Sequence, residues 1–304
     1  MIEVQNYING KFKTTKDTID DINPATGDII ANIPRSDSND VSDAVDAANT
    51  ARVSWSELSS EERADWLDKI ADALESKSDD IASLESLDTG KPITLAKAVD
   101  ASRSVANFRF FAKFSRDFSV GNFEMDDAVN HVVLKPVGIA GLITPWNLPL
   151  YLLSWKIAPA IVMGNTVVAK PSELTPLTAN LLSQTLDEID FPAGVVNIVH
   201  GLGSEAGQAI VEDPKINLIS FTGGTLTGKK VAETAAPMFK KLSLELGGKN
   251  ATIILDDANL DASIPEIARS AFMNQGQVCL CGSRILISDK IWDEFVDKFV
   301  KHVK

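Results

Sequence analysis

The chain has 304 residues, 44% of them hydrophobic, which is enough for two domains or for one large domain with part of a second. Its 42 acidic residues against 29 basic ones give a formal charge of -13, which repels phosphate backbones and anionic lipid and so argues against nucleic acid or a membrane as partner. The opening MIEVQNYINGKF lacks a basic leader followed by an apolar core, so no secretory signal is expected and a cytoplasmic location is.

The first part, to about residue 120, reads as helical. Ser59, Ser60, Glu61 and Glu62 form a Ser-x-x-Glu capping box, and Trp66, Ile70, Leu74 and Ile81 recur behind it at helical spacing. Gly90 and Pro92 punctuate its end, and a second helix is predicted from about Leu95 to Phe114. A β-hairpin is expected near 120–140. From His131 the period changes: HVVLKPVGIAGLIT is β-branched and alternating, and Thr166–Ala169, Val195–Val199, Leu218–Phe221 and Leu242–Leu244 read as buried strands between amphipathic segments. Such alternation predicts a parallel sheet with helices on both faces, binding ligands at the carboxyl ends of its strands.

The most apolar stretch, Val137 to Val168, is broken by Pro145, Pro149 and Pro159 and carries Lys156, so it reads as protein interior and not as a membrane span. After Ala251–Leu255 come a helix ending near Met273, a cysteine loop and the strand RILIS. The last segment, IWDEFVDKFVKHVK, places Ile291, Phe295, Phe299 and Val303 on one stripe. That helix either packs back onto the preceding elements or belongs to an interrupted domain, the reading preferred here.

Three positions carry the chemistry. Cys279 follows a helix and a polar Asn-Gln-Gly-Gln turn, where an exposed thiol with an ordinary pKa of about 8.5 is partly thiolate near neutrality. Cys281 is secondary, and one intervening residue is poor spacing for a structural bridge, so a reduced compartment is expected. Glu245, between Leu244 and Leu246 and before Gly247 and Gly248, suggests a carboxylate in a tight, partly apolar turn, where desolvation favours a general base. Asn147 in TPWNLP is stiffened by Pro145 and Pro149, and a rigid amide donor to an oxyanion is worth roughly 3 kcal/mol of barrier.

The cofactor signal comes in two pieces. VVAKPSE sets Lys170 and Glu173 after a strand, and ISFTGGTLTG sets Gly223, Gly224 and Gly228 at a strand-to-helix junction suited to phosphate. A carboxylate at the ribose hydroxyls favours NAD over NADP. GLGSEAG does not match the G-x-G-x-x-G fingerprint, and His131, His200 and His302 are scattered, so no metal site is assigned.

PWN, AKPSE, FTGG, LELGGK and GQVC, in that order, make the sequence resemble the aldehyde dehydrogenase family over nearly all of its length. The resemblance implies an α/β fold: a Rossmann-like NAD-binding parallel sheet with an N-terminal helical part over residues 1–246, and an incomplete α/β catalytic domain over 247–304. It implies Cys279 as nucleophile, Glu245 as general base and Asn147 as oxyanion donor. Around NAD it implies Ile143, Thr144, Pro145, Trp146, Lys170, Ser172, Glu173, Gly203, Gly207, Phe221, Thr222, Gly223, Gly224 and Leu246.

PWNLPLYLLSWKIAP, KLSLELGGKNATII and VCLCGSRI are most similar to the 2-aminomuconic and 2-hydroxymuconic semialdehyde dehydrogenases. An aldehyde of that kind ends in a carboxylate, for which Arg103 in ASRSVANFRFF is the candidate anchor and Arg109 the alternative. Two departures stand out. Gly224 replaces the family's usual serine, and the later Glu-x-Phe-Gly-Pro motif is absent, so the chain is expected to be a fragment of a homo-oligomeric enzyme. The rival readings are a CoA-acylating relative, a group that typically lacks the glutamate Glu245 represents, and a truncated paralogue that binds NAD without turnover.

Overall fold

In a computed structural model describing residues 1–304, the chain divides into two units, Met1–Glu245 and Leu246–Lys304. The first opens with β1 (Ile2–Glu3), β2 (Asn6–Ile8), β3 (Lys11–Lys13), β4 (Thr18–Ile22) and β5 (Ile29–Pro34). The helical reading of the first 120 residues is therefore corrected up to Pro34. These strands are too short for a period to show: β2 and β3 form a hairpin across Asn9 and Gly10, at φ 53° and 70°, β4 pairs antiparallel with β5, and β2 also pairs antiparallel with the distant β10 (Val196–Ile198) through Tyr7 and Ile198.

Helices follow from Ser38: α1 (Ser38–Glu57), α2 (Ser60–Ser76) and α3 (Ser78–Thr89). The predicted box caps α2, with Ser59 Oγ accepting the Glu62 N–H at 3.2 Å and the Glu62 carboxylate accepting the Ser59 N–H at 2.8 Å. Gly90, at φ 73°, terminates α3 in the left-handed conformation that glycine tolerates. The second predicted helix is α4 (Ile93–Ala96), a π turn (Lys97–Ala101) and α5 (Ser102–Asp117) in succession.

The alternating run after His131 does not form one strand. β6 (Asn122–Glu124) and β7 (Val129–His131) make an exposed antiparallel hairpin, and β8 (Ile139–Ile143) begins only after Pro136 and Gly138. Proline has no N–H to give a ladder, and Gly138 sits at φ 128°, so the chain turns there before it enters the sheet.

From β8 the α/β alternation holds: α6 (Pro149–Val162), β9 (Thr166–Lys170), α7 (Leu177–Glu188), β10, α8 (Gln208–Glu212), β11 (Ile216–Gly223), α9 (Thr225–Ala235) and β12 (Lys241–Leu246). The seven strands lie in the order β12-β11-β8-β9-β10-β2-β3, with β8, β9, β10 and β11 parallel. The chain runs outward from β8 through β9 to β10, then crosses back to β11 on the other side of β8. That reversal makes β8 and β11 the topological switch point, where a crevice opens at the strand ends. α6 packs on β8 and β9 with α2 and α5 behind it, whereas α1 packs on β8, β9 and β10. β8 and β9 are wholly buried, as continuous apolar runs require. β12 is not: Leu242 and Glu245 are exposed, which corrects its reading as a buried strand.

At the sheet's centre Gly141 lets α8 approach. A Cβ there would lie 2.6 Å from Ile210 Cγ2 and 2.9 Å from Ile219 Cδ1. Trp55 on α1 is fully buried, donates its ring N–H to the Ile161 carbonyl at 2.9 Å and packs on Phe191.

The second unit is a βαβ turn with an added helix. β13 (Ala251–Ile254) and β14 (Arg284–Ile287) pair in parallel, joined through α10 (Leu260–Phe272), and α11 (Trp292–Val303) follows. Ile254, Leu260, Ile264, Ile267 and Phe295 form its small core. α11 packs back on α10 through Phe295 and Phe299, while Trp292 and Val303 on the same helix stay exposed. No helix of the chain is long and apolar enough to cross a membrane.

Candidate functional site

In the first unit, strand register brings most of the candidate cofactor residues together. Phe221 pairs with Ile143 and Ile143 with Lys170, so the carboxyl ends of β11, β8 and β9 form one row. Thr144 continues β8 by donating its N–H to the Lys170 carbonyl at 3.2 Å, and its buried hydroxyl has no partner within the chain. Pro145 is half-buried and Trp146 exposed beyond it.

Lys170 is 2% exposed, and its Nζ donates to Glu173 at 2.8 Å and to the Pro171 carbonyl at 2.9 Å. Burial pushes the Lys170 ammonium down. Burial alone would raise Glu173, but the Lys170 charge and hydrogen bonds from backbone N–H groups outweigh it and hold the carboxyl below its usual range. Ser172 is buried, with its hydroxyl accepting the Leu174 N–H at 3.2 Å. Gly207 closes the π turn Gly203–Gly207 against the Lys170 stem, 3.5 Å from where its Cβ would stand.

Phe221 folds back over Gly223, and Thr222 lies half-buried between them. Gly224 is the N-cap of α9, with Gly228 one turn inside the helix. Around both Gly203 and Gly224 there is open space, with no atom within 4 Å of a built Cβ. A buried lysine paired with a half-buried glutamate, an orphaned hydroxyl, two open glycine positions and a helix N-terminus at one sheet end fit a dinucleotide.

Asn147 lies four residues beyond the end of β8, half-buried, in the loop that Pro149 ends as the first residue of α6. Glu245 is exposed on β12, so the tight apolar turn expected around it is not found in this chain. The cation it acts on is Lys156, an α6 residue donating to Ser220 Oγ at 2.7 Å. Burial pushes Lys156 down to about 8, and the Glu245 carboxylate partly opposes that. A charged residue inside an apolar run was the sequence signal for Lys156. Arg103 is exposed on α5, outside the cofactor row, and forms no ion pair. Arg109 is bound to Glu75 at 2.6 Å and Asp72 at 2.9 Å.

In the second unit, Asn274, Gln275 and Gly276 take φ values of 52°, 57° and 72°, a left-handed turn that two of the three adopt with strain. Cys279 follows it, exposed. The Asn250 amide donates to the Cys279 carbonyl at 3.0 Å, and the Cys281 N–H to the Val278 carbonyl at 3.0 Å. The segment is thus a turn, and Cys281 is buried where Cys279 is not.

Residues 12–304 match the aldehyde dehydrogenase family. The chain belongs to that family. It is 48% identical over 303 residues to the 2-aminomuconic semialdehyde dehydrogenase of Homo sapiens, which covers 99% of this chain and 62% of that protein. Against the 2-hydroxymuconic semialdehyde dehydrogenase of Pseudomonas sp. (strain CF600) it is 43% identical over 305 residues, covering 97% and 63%. An aldehyde dehydrogenase from Bacillus cereus, solved as its NAD+ complex, superposes with a TM-score of 0.96 at 39% identity, covering 99% of this chain and 62% of that one. The chain thus shares the mixed α/β family fold, and it spans about 62% of the length of these relatives.

Proposed function

We propose that the full-length protein oxidises an aldehyde of the muconic semialdehyde class to its carboxylic acid, with Cys279 as nucleophile. The observation that carries this reading is the row Phe221–Ile143–Lys170 at the sheet's switch point, with Asn147 on the loop that leaves it. Lys170, Glu173, Phe221 and the Gly223–Gly224 junction would hold NAD, which when bound supplies the hydride acceptor. Cys279, as thiolate, attacks the aldehyde carbon. Asn147's side-chain amide and the Cys279 N–H donate to the oxyanion that forms. Once the aldehyde hydrogen has left as hydride, the acyl group remains on Cys279 as a thioester. Glu245 takes a proton from water, the hydroxide displaces the thiolate, and the acid is released. Arg103 receives the distal carboxylate.

In the full-length protein, Cys279→Ala should abolish NADH formation, and Glu245→Gln should let a covalent acyl-enzyme accumulate, visible by mass spectrometry. Equal turnover by wild type and Cys279→Ala would contradict the assignment. The presence of Glu245 favours water over CoA as acyl acceptor, so added CoA should not change the product.

A further inference from the structure

Behind the Asn147 loop lies a buried charge cluster that the mechanism above does not use. Lys91, just past α3, is 1% exposed, and its Nζ donates to the two oxygens of Asp100 at 3.0 and 2.9 Å. It donates also to the backbone carbonyl of Asn147 at 3.3 Å. An ammonium has three N–H donors, and these contacts use all of them. Glu85 on α3, wholly buried, accepts the Leu150 N–H at 3.0 Å and the Thr178 hydroxyl at 2.8 Å, with its second oxygen 3.9 Å from Lys91. The same cluster therefore grips the peptide at Asn147 and the start of α6 three residues later.

Charge is a poor means of filling that space, since a well-packed apolar group of similar volume stabilises a core as well or better. What an ion cluster adds is direction. Asp100 sits in the π turn between α4 and α5, a widening of the helix that is frequent at functional sites. Its own carbonyl accepts the Ser104 hydroxyl at 2.6 Å, which secures the turn.

We infer that Lys91, oriented by Asp100 and Glu85, is a positioning residue for Asn147. By fixing the peptide carbonyl it fixes where the side-chain amide projects, and an oxyanion donor must be placed to within a few tenths of an ångström. This deepens the proposed oxyanion role of Asn147 and rests on it.

The test uses the full-length protein with Lys91→Met and Asp100→Asn, each made alone and in an Asn147→Ala background. Aldehyde kcat and KM, NAD Kd and thermal midpoint are measured for each. Lys91→Met is expected to lower kcat about tenfold or more and to leave the NAD Kd within about twofold. In the Asn147→Ala background it should lower kcat no further. Asp100→Asn, which keeps the volume and the lysine, should give the same pattern at smaller size and stands in where Lys91→Met does not fold. An unchanged kcat in both single variants, or the same further loss in the Asn147→Ala background, would overturn the inference. Wild-type kcat in Asn147→Ala alone would instead sink the oxyanion role itself.

Discussion

Gly224 offers a direct test of where the cofactor's phosphates sit. It caps α9 at φ -70° and ψ 145°, with no side-chain hydrogen bond to the helix and open space where a Cβ would go. Those angles suit any residue, so Gly224→Ser introduces no backbone strain. Without cofactor, the new hydroxyl accepts an N–H of the first turn, worth a few tenths of a kcal/mol over glycine. With a pyrophosphate at that helix end, the hydroxyl turns to donate to it. A hydrogen bond to a charged group is worth about 1.5–3 kcal/mol, and after loss of the cap about 1 kcal/mol or more remains, or roughly fivefold in Kd. Calorimetric titration of NAD into full-length wild type, Gly224→Ser and Gly224→Ala measures this. Alanine controls for the loss of glycine's unfolded-state entropy and should leave Kd unchanged. If the serine variant binds NAD no tighter than the alanine variant, the phosphates do not lie at the N-terminus of α9.

Other parts of the chain are as open to test. Asp88 is buried beside Asp21, and its carboxylate accepts the Leu177 N–H at 2.9 Å. Burial, then the Asp21 charge, pushes Asp88 up to about 9, so the folded state keeps a proton that the unfolded chain releases near pH 4. Its stabilisation is full below about pH 4 and is lost as pH rises through about 9. Asp88→Asn has no proton to lose, so its stability relative to wild type should grow with pH over that window in urea titrations, and parallel curves would refute the assignment. Trp55→Ala should cost about 3–5 kcal/mol of unfolding free energy, because a fully buried indole and its hydrogen bond to Ile161 are removed together. Gly141→Ala should cost about 1–3 kcal/mol in the same assay, since the added methyl meets Ile210 and Ile219 inside the sheet.

The sequence made the middle of the chain legible because burial on both faces leaves no choice of residue. IAGLI and TVVAK are buried from end to end. Within the first 34 residues each strand is too short and mixed to show a period, and the Asn9-Gly10 turn that joins NYI to KFK is the local hairpin signal there. Leu242 and Leu244 carry the period of a half-buried strand, but a period does not reveal whether a partner covers it. Leu244, Leu246 and the two glycines after them suggest a confined Glu245, and the strand leaves it exposed. Sequence already ranks Arg103 before Arg109, and what it could not show is that Arg109 is held by two carboxylates from α2. Lys91 stands between Gly90 and Pro92, the residues that punctuate the helix end, and carries no signal of its own in the sequence. Only the crossing of α3 under the β8–α6 loop brings it to Asn147.

The pairing of Tyr7 with Ile198 also bears on how the protein is made. The β2–β3 hairpin joins a sheet whose matching edge leaves the ribosome much later, so β2 keeps one edge open until β10 has emerged. Contacts this distant along the chain slow folding and leave open strand edges that invite association. Yield should therefore respond to translation rate and to chaperone supply more than the stability of the finished sheet would indicate.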